Sequence, residues 1–165
     1  MIRIRPETGD DKDAIGQVNC AAFPTAQEAD LVAALRDDGF SEISLVADDG
    51  GNVVGHVLLS RMQVEGDGRA RRALGLAPVA VLPDRQRQGI GSALIEGALR
   101  HAEERGEEII FLVGEPGYYR RFGFSAEAAA PFASPYAGPY FMAKSFVPLP
   151  RAGKADYAPA FGKLS

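Results

Sequence analysis

Between Val79 and Leu94 the chain reads Val-Ala-Val-Leu-Pro-Asp-Arg-Gln-Arg-Gln-Gly-Ile-Gly-Ser-Ala-Leu, an apolar stretch that passes through a short polar, glycine-bearing turn into a run with helical apolar spacing. A strand feeding a helix through such a turn is an anion cradle. The first backbone N–H groups of a helix have no intrahelical partner, and the peptide dipoles place roughly half a positive charge there, so a phosphate is held without any side chain. Gly89 and Gly91 remove the Cβ atoms that would keep a ligand away from those N–H groups. Pro83 helps to end the strand, and Arg85 and Arg87 add mobile positive charge. The chemistry implied is the binding of a phosphorylated cofactor. A Walker-type loop needs a lysine where none follows Gly91, and a dinucleotide fingerprint needs a third glycine where Leu94 stands, so triphosphate and NAD(P) binding are disfavoured.

The residues around the cradle sharpen this. Gln86-Arg87-Gln88-Gly89-Ile90-Gly91 fits the Gln/Arg-x-x-Gly-x-Gly/Ala pattern of the GNAT N-acetyltransferase family, and Leu76-Ala77-Pro78-Val79-Ala80-Val81-x-Pro83 resembles that family's cofactor strand. Downstream, Phe111-Leu112-Val113-Gly114 followed by Tyr118-Tyr119-Arg120-Arg121-Phe122-Gly123-Phe124 resembles the family's fifth strand and its Tyr-x-x-x-Gly-Phe segment. Two motifs in the family's order are far more specific than either alone. The resemblance runs over about residues 2 to 147 and is strongest to the YhbS-type bacterial branch.

The resemblance implies that acetyl-CoA is the cosubstrate, with its pyrophosphate on the N–H groups of Arg87 to Ser92 and its pantetheine arm beside Val79, Ala80 and Val81. Cofactor-binding residues would then be Val79, Ala80, Val81, Gln86, Arg87, Gln88, Gly89, Ile90, Gly91 and Ser92. An N–H of that strand could stabilise the oxyanion that forms on the thioester. Tyr119, four residues before Gly123, matches the family's tyrosine that protonates the departing thiolate. A phenol with a reference pKa of about 10 stays protonated beside a thiol of about 8.5, which suits the task. Tyr118 is its immediate rival, pointing about 100 degrees away on a helix.

The general base is open among Glu28, His56, Glu115 and a water relay. His56 follows Gly55 in an apolar strand, where a structural histidine is the competing reading, and Glu28 opens a helix, where a dipole role competes. His101 falls on the polar side of its helix. Cys20 has no surrounding nucleophile pattern, and direct transfer needs none. No metal site is indicated. Two functions follow: an N-acetyltransferase acting on a primary amine of a small molecule or peptide, or a non-catalytic acyl-CoA sensor that keeps the cradle. The acceptor, the acyl length and O-transfer stay open.

Composition sets the frame for these residues. A chain of 165 residues, 46% hydrophobic and with one cysteine, suits one domain with a core and no disulfide framework. The expectation is a cytoplasmic protein without a membrane span or a secretion signal. Residues 1–50 hold eleven acidic and four basic side chains, whereas 61–87 hold six arginines. The acidic part would favour a cationic acceptor, and the cofactor half is locally basic. Those arginines are not interleaved with aromatics and the net charge is −4, so nucleic-acid binding is disfavoured.

Ile2 and Ile4 predict a first strand, a Thr8/Asp11 capping pair precedes a helix through Ala22, and a second helix spans Glu28 to Asp38. Strands are expected at Ile43 to Ala47, Val53 to Val64 and Ala70 to Val81, with turns at residues 48–52 and 66–68. Pro78 signals an edge, a bulge or a local break in the pairing of its strand. A helix follows from Ile90 to Ala102, then a buried strand at Ile109 to Val113 and a last strand at Phe141 to Val147. The fold expected is α+β: a GNAT-like three-layer α/β/α domain over 1–147. By the resemblance, its mixed, mostly antiparallel sheet is splayed between the fourth and fifth strands. Residues 148–165 read as a C-terminal tail, either packed or mobile. The Pro-rich residues 131–146 suit an acceptor wall or a homodimer contact.

Overall fold

The computed structural model describes residues 1–163. From the N-terminus, β1 (Ile2–Pro6) leads to α1 (Lys12–Ala22) and α2 (Gln27–Asp37), then β2 (Ser41–Asp49), β3 (Asn52–Arg61), β4 (Gln63–Gly66), β5 (Arg69–Arg71) and β6 (Ala73–Val81). The second half runs α3 (Ile90–Glu104), β7 (Ile109–Val113), α4 (Pro116–Tyr119), α5 (Ala126–Ala129), β8 (Phe132–Ala133), β9 (Phe141–Ser145) and β10 (Gly153–Asp156). The main sheet has the order β1-β2-β3-β6-β7-β9, with β6 and β7 parallel and every other neighbour pair antiparallel.

Amphipathic spacing explains the layers. On α3, Ile90, Leu94, Ile95, Ala98, Leu99 and Ala102 form the buried stripe, and they pack on Leu45, Val57, Leu59, Leu74 and Leu76 of the sheet. On the opposite face, Ile15 of α1 and Leu31, Val32 and Leu35 of α2 cover Val46 and Leu58. Strand alternation therefore supplies two apolar faces, one for each helical layer. The Thr8/Asp11 pair forms as expected, ahead of α1: the Thr8 N–H donates to Asp11 Oδ2 at 2.7 Å. Arg5 adds a bidentate pair to the same carboxylate, at 2.7 and 3.0 Å, and with the Thr8 hydrogen bonds this holds Asp11 down to about 2.

Two expected strands are each cut in two. The chain leaves the main sheet at Met62 and rejoins it at Ala73, so β4 and β5 form a hairpin outside it, in a second sheet of order β5-β4-β10-β8. The cut has a polar cause. Arg72 gives its N–H to the Glu108 carboxylate at 3.0 Å, and Arg61 gives its own to Phe40 O at 2.9 Å. The segment after Val147 is also part of the fold: β10 lies between β4 and β8, and Phe161 is buried beside Leu31 and Leu35. β10 is thus the last strand, after β9. Residues 164 and 165 of the expected tail lie outside the described residues.

One buried carboxylate ties these elements together. Glu107, 2% exposed, accepts both Arg61 terminal nitrogens at 2.7 and 3.0 Å and Arg72 Nη2 at 2.7 Å, with Arg105 at 3.5 Å. Glu42 shares Arg61 and Arg105. Glu107→Gln removes the charge that these arginines were desolvated to meet. The expected loss is roughly 2–4 kcal/mol, since breaking one partner of a buried pair leaves the others uncompensated. It would be read as a fall of about 5–15 °C in Tm for a chain of this size.

Candidate active site

The cradle sits where β6 ends and α3 begins. Leu82 closes β6 with an N–H to Val54 O at 3.0 Å, and a single 3-10 turn, Pro83–Arg85, lifts the chain off the sheet. Arg87 and Gly89 both adopt left-handed φ, +63° and +81°. Gly89 takes this conformation without cost, whereas Arg87 is held in it against its Cβ. Ala93 makes the first helical bond, to Gly89 O at 3.0 Å, so the N–H groups of Ile90, Gly91 and Ser92 point out of the helix end unpaired within it. Nothing stands within 4 Å of a Cβ built on Gly89. At Gly91 such an atom would meet Tyr118 Oη at 3.5 Å and Val81 Cγ2 at 3.8 Å.

The other residues named from the sequence fall into distinct places. The side chains of Val79 and Val81 pack toward α3, Ala80 is buried, and Ile90 is part of the same core, so these side chains serve packing. Gln86 Nε2 donates to Val81 O at 3.1 Å and Gln88 Nε2 to Asp84 O at 3.5 Å, bracing the loop. The basic half is largely neutralised: Arg85 pairs with Asp49, Arg61 and Arg72 with Glu107, and Arg69 and Arg71 with Glu108. This corrects the expectation of mobile charge at Arg85. Of the six, only Arg87 makes no ion pair among the described residues. Sequence reasoning missed Glu107 and Glu108 because the arginines they hold in the basic stretch, Arg61, Arg69 and Arg72, are 35 or more residues away.

Tyr118 and Tyr119 separate as helical geometry requires. Tyr118 turns to the cradle, its Oη 3.5 Å from Ser92 Oγ, with Arg121 over its ring at 4.6 Å. Tyr119 turns to the end of β7. A Cβ on Gly114 would lie 2.4 Å from Tyr119 Cε2, so Gly114 is the gap that admits this ring. Phe124 and Tyr118 meet it edge-on, at 6.2 and 4.9 Å. Burial, with Tyr118 alongside, pushes the Tyr119 phenol above its usual value, so it is a proton donor at neutral pH.

β6 and β7 are in register from Ala73 to Gly75, opposite Ile109 to Phe111. Beyond Gly75, the registered partners of β6 lie on β3, and those of Leu112 and Val113 on β9. Opposite β3, Val57 pairs with Val79 and Leu59 with Leu76, so Leu58 faces both Ala77 and Pro78. Pro78 thus sits in a bulge, as a residue without an N–H must within a ladder.

Among the base candidates, His56 has a structural role. It is fully buried; Asn19 Nδ2, which also donates to Ile15 O at 2.9 Å, donates to His56 Nδ1 at 3.3 Å. The proton is therefore on Nε2, facing Ser44 Oγ at 2.8 Å. Neither nitrogen is free to take a proton from a ligand. Burial, and secondarily Arg36, drives its pKa from near 6.5 down to about 3. Between those values the unfolded chain binds a proton that the native chain refuses, so the stability is complete above pH 6.5 and declines toward pH 3. His56→Gln is expected to flatten that slope, seen as a urea midpoint that varies less between pH 6 and 4 than the parent's. Glu28 differs: its Oε1 is buried without a partner. Glu115 caps α4 through its carbonyl, which accepts from Tyr118 and Tyr119 N–H at 3.1 Å. Cys20 is exposed.

Comparison with known proteins agrees with this fold. Residues 3–126 match the model of the acetyltransferase (GNAT) domain. The chain is 35% identical over 147 residues to the uncharacterized N-acetyltransferase YjhQ of Escherichia coli K12, covering 88% of this chain and 76% of that protein. To YhbS of the same strain it is 36% identical over 126 residues, covering 76% and 74%. Among solved structures, a GNAT family acetyltransferase from Brucella melitensis in complex with acetyl-CoA superposes with TM-score 0.81 at 36% identity, covering 98% of both chains. Escherichia coli YhbS in complex with CoA gives TM-score 0.88 at 30% identity, covering 99% of this chain and 93% of that one. With a family model matched over residues 3–126 and relatives at 35–36% identity, the chain belongs to the GNAT acetyltransferase family.

Proposed function

We propose that the protein transfers the acetyl group of acetyl-CoA to a primary amine of a small molecule or peptide, by direct attack of the amine on the thioester. The observation that carries this reading is the open start of α3, with unpaired N–H groups at Ile90, Gly91 and Ser92 and no side chain over Gly89. Those donors fit a diphosphate in number and polarity. The solved relatives with acetyl-CoA and CoA support the choice of ligand.

When bound, acetyl-CoA supplies the activated acyl group. The chain holds the phosphates on Arg87 to Ser92 and the pantetheine arm along Val79 to Val81, where β6 has no registered partner on β7. A strand N–H there polarises the thioester carbonyl. The amine nitrogen forms the new bond to the carbonyl carbon, the carbon–sulfur bond breaks, and the thiolate takes its proton from Tyr119 Oη. The nitrogen gives up two protons: one as the ammonium becomes an amine, which leaves through Glu28, Glu115 or water, and one after attack, which by way of solvent restores the proton that Tyr119 gave to sulfur. The test is calorimetric titration with acetyl-CoA, CoA and NAD, followed by thiol release from acetyl-CoA in the presence of primary amines. Selective CoA-type binding with amine-dependent thiol release is expected. Binding without release from any amine would favour the sensor, and no CoA binding by folded protein would overturn both.

A further inference from the structure

On the face that carries α1 and α2, the C-terminal segment lays Tyr157 across β6. A Cβ on Gly75 would lie 2.6 Å from Tyr157 Cε1 and 2.9 Å from Cδ1, so only glycine admits the ring. Gly75 is also the last residue of β6 in register with β7. Tyr157 therefore stands where the registered pairing of the two strands ends. It bridges two apolar clusters, one with Phe111 and Phe132, the other with Leu31 and Phe161. Its ring meets Tyr136 edge-on at 5.3 Å and Phe161 at 4.9 Å.

Its hydroxyl is buried and has no hydrogen-bond partner. Such a group costs about 1–3 kcal/mol unless a ligand or water meets it. Burial also raises its phenol strongly, so Oη keeps its proton and can both donate and accept. The inward face of α2 brings a second orphan: Glu28 Oε1, one turn before Leu31 and Val32, is likewise buried without a partner. The surroundings are otherwise apolar. Ala77 belongs to the cluster, and the exposed ring of Tyr136 stands against Tyr157. A few polar groups in an apolar, partly open wall are what a small ligand with a polar head and an apolar body requires.

We infer that this is the acceptor site: the Tyr157 hydroxyl hydrogen-bonds the amino group, Glu28 supplies the counter-charge, and Tyr136, Tyr157 and Ala77 take up an apolar or aromatic carbon skeleton. The acceptor is accordingly a primary amine on an apolar body, not a polyamine. Tyr157 lies beyond residues 3–126, the part matched by the family model, so the family likeness does not assign it. The inference rests on the transferase reading for its chemistry but has a binding readout of its own.

The test uses the full chain with phenethylamine and tyramine as probes and spermidine as the contrast. Tyr157→Phe keeps the ring over Gly75 and so the fold. Its kcat/KM for the aryl amines is expected to fall about 10–100-fold, mostly in KM, with acetyl-CoA binding unchanged. Separately, tyrosine labelled with 13C at Cζ identifies the Tyr157 resonance by its loss in Tyr157→Phe. That resonance is expected to move when an aryl amine is added to the CoA complex. A resonance that ignores both aryl amines, a Tyr157→Phe enzyme as active as the parent, or a preference for spermidine overturns the assignment. Movement without acetyl transfer upholds the site and overturns the transferase reading instead.

Discussion

Gly91→Glu is expected to weaken acetyl-CoA binding by roughly 10²–10³-fold while leaving the fold intact, measured by calorimetry beside a thermal melt. A carboxylate about 4 Å from a phosphate charge, at an effective dielectric near 20, is opposed by about 4 kcal/mol, and flexibility of the Glu side chain relieves part of it. Position 91 isolates this effect. Its backbone is helical, and a Cβ would meet Tyr118 Oη and Val81 Cγ2 at ordinary contact distances of 3.5 and 3.8 Å. Glycine inside a helix is destabilising by roughly 0.5–1 kcal/mol, so Tm should hold or rise. Gly91→Ala is the control, adding the Cβ without charge, and is expected to bind within a few-fold of the parent. The neighbouring glycine would not serve: at φ +81° any side chain on residue 89 strains the backbone, so lost binding and lost stability would be confounded. Unchanged binding in Gly91→Glu would remove the cradle from the cofactor site.

Tyr119→Phe is expected to lower kcat by about 10²–10⁴-fold with little change in acetyl-CoA affinity, the range for losing a positioned proton donor. Tyr118→Phe should do the opposite. Its Oη lies beside Gly91 and Ser92, at the phosphate end, so its loss should raise the Kd for acetyl-CoA several-fold and spare kcat at saturation. The pair is a stronger test than either variant, because both remove one hydroxyl from adjacent rings in edge-on contact at 4.9 Å. Leaving-group protonation also predicts that Tyr119→Phe is least impaired with an acyl donor whose thiol has a low pKa. If the two variants exchange phenotypes, the roles of the tyrosines are reversed.

Much of this site was legible because its parts are local. A strand, a Gly-x-Gly turn and a helix form within sixteen residues, Val79 to Leu94, and the unpaired N–H groups follow from helix geometry whatever surrounds them. Alternation and 3.6-residue spacing likewise placed the strands of the main sheet and the stripe on α3, since each apolar face has only one layer to meet. Pro78 announced an edge, a bulge or a break because a missing N–H cannot be supplied by context, and the register against β3 decided for the bulge.

What the sequence did not determine depends on contacts between distant residues. The cuts at Met62 and Arg72 look like continuous strands until Glu107 and Glu108 arrive to take Arg61 and the Arg72 N–H. The charge asymmetry of residues 61–87 was real but misleading, for ion pairs spend it internally. His56 is a candidate base by type, and becomes a structural residue only when Asn19 and Ser44 close on its two nitrogens. Tyr157 lay in an apparent tail, and nothing nearby in the chain points to β6, 82 residues earlier at Gly75. Sequence by itself determined the long helices, the main-sheet strands, their layers and the strand-turn-helix of the cradle, because backbone geometry and side-chain periodicity are short-range. Only the tertiary structure decided which ionisable groups are neutralised, buried or left unpaired, because desolvation and hydrogen-bond partnership are properties of the whole packed fold.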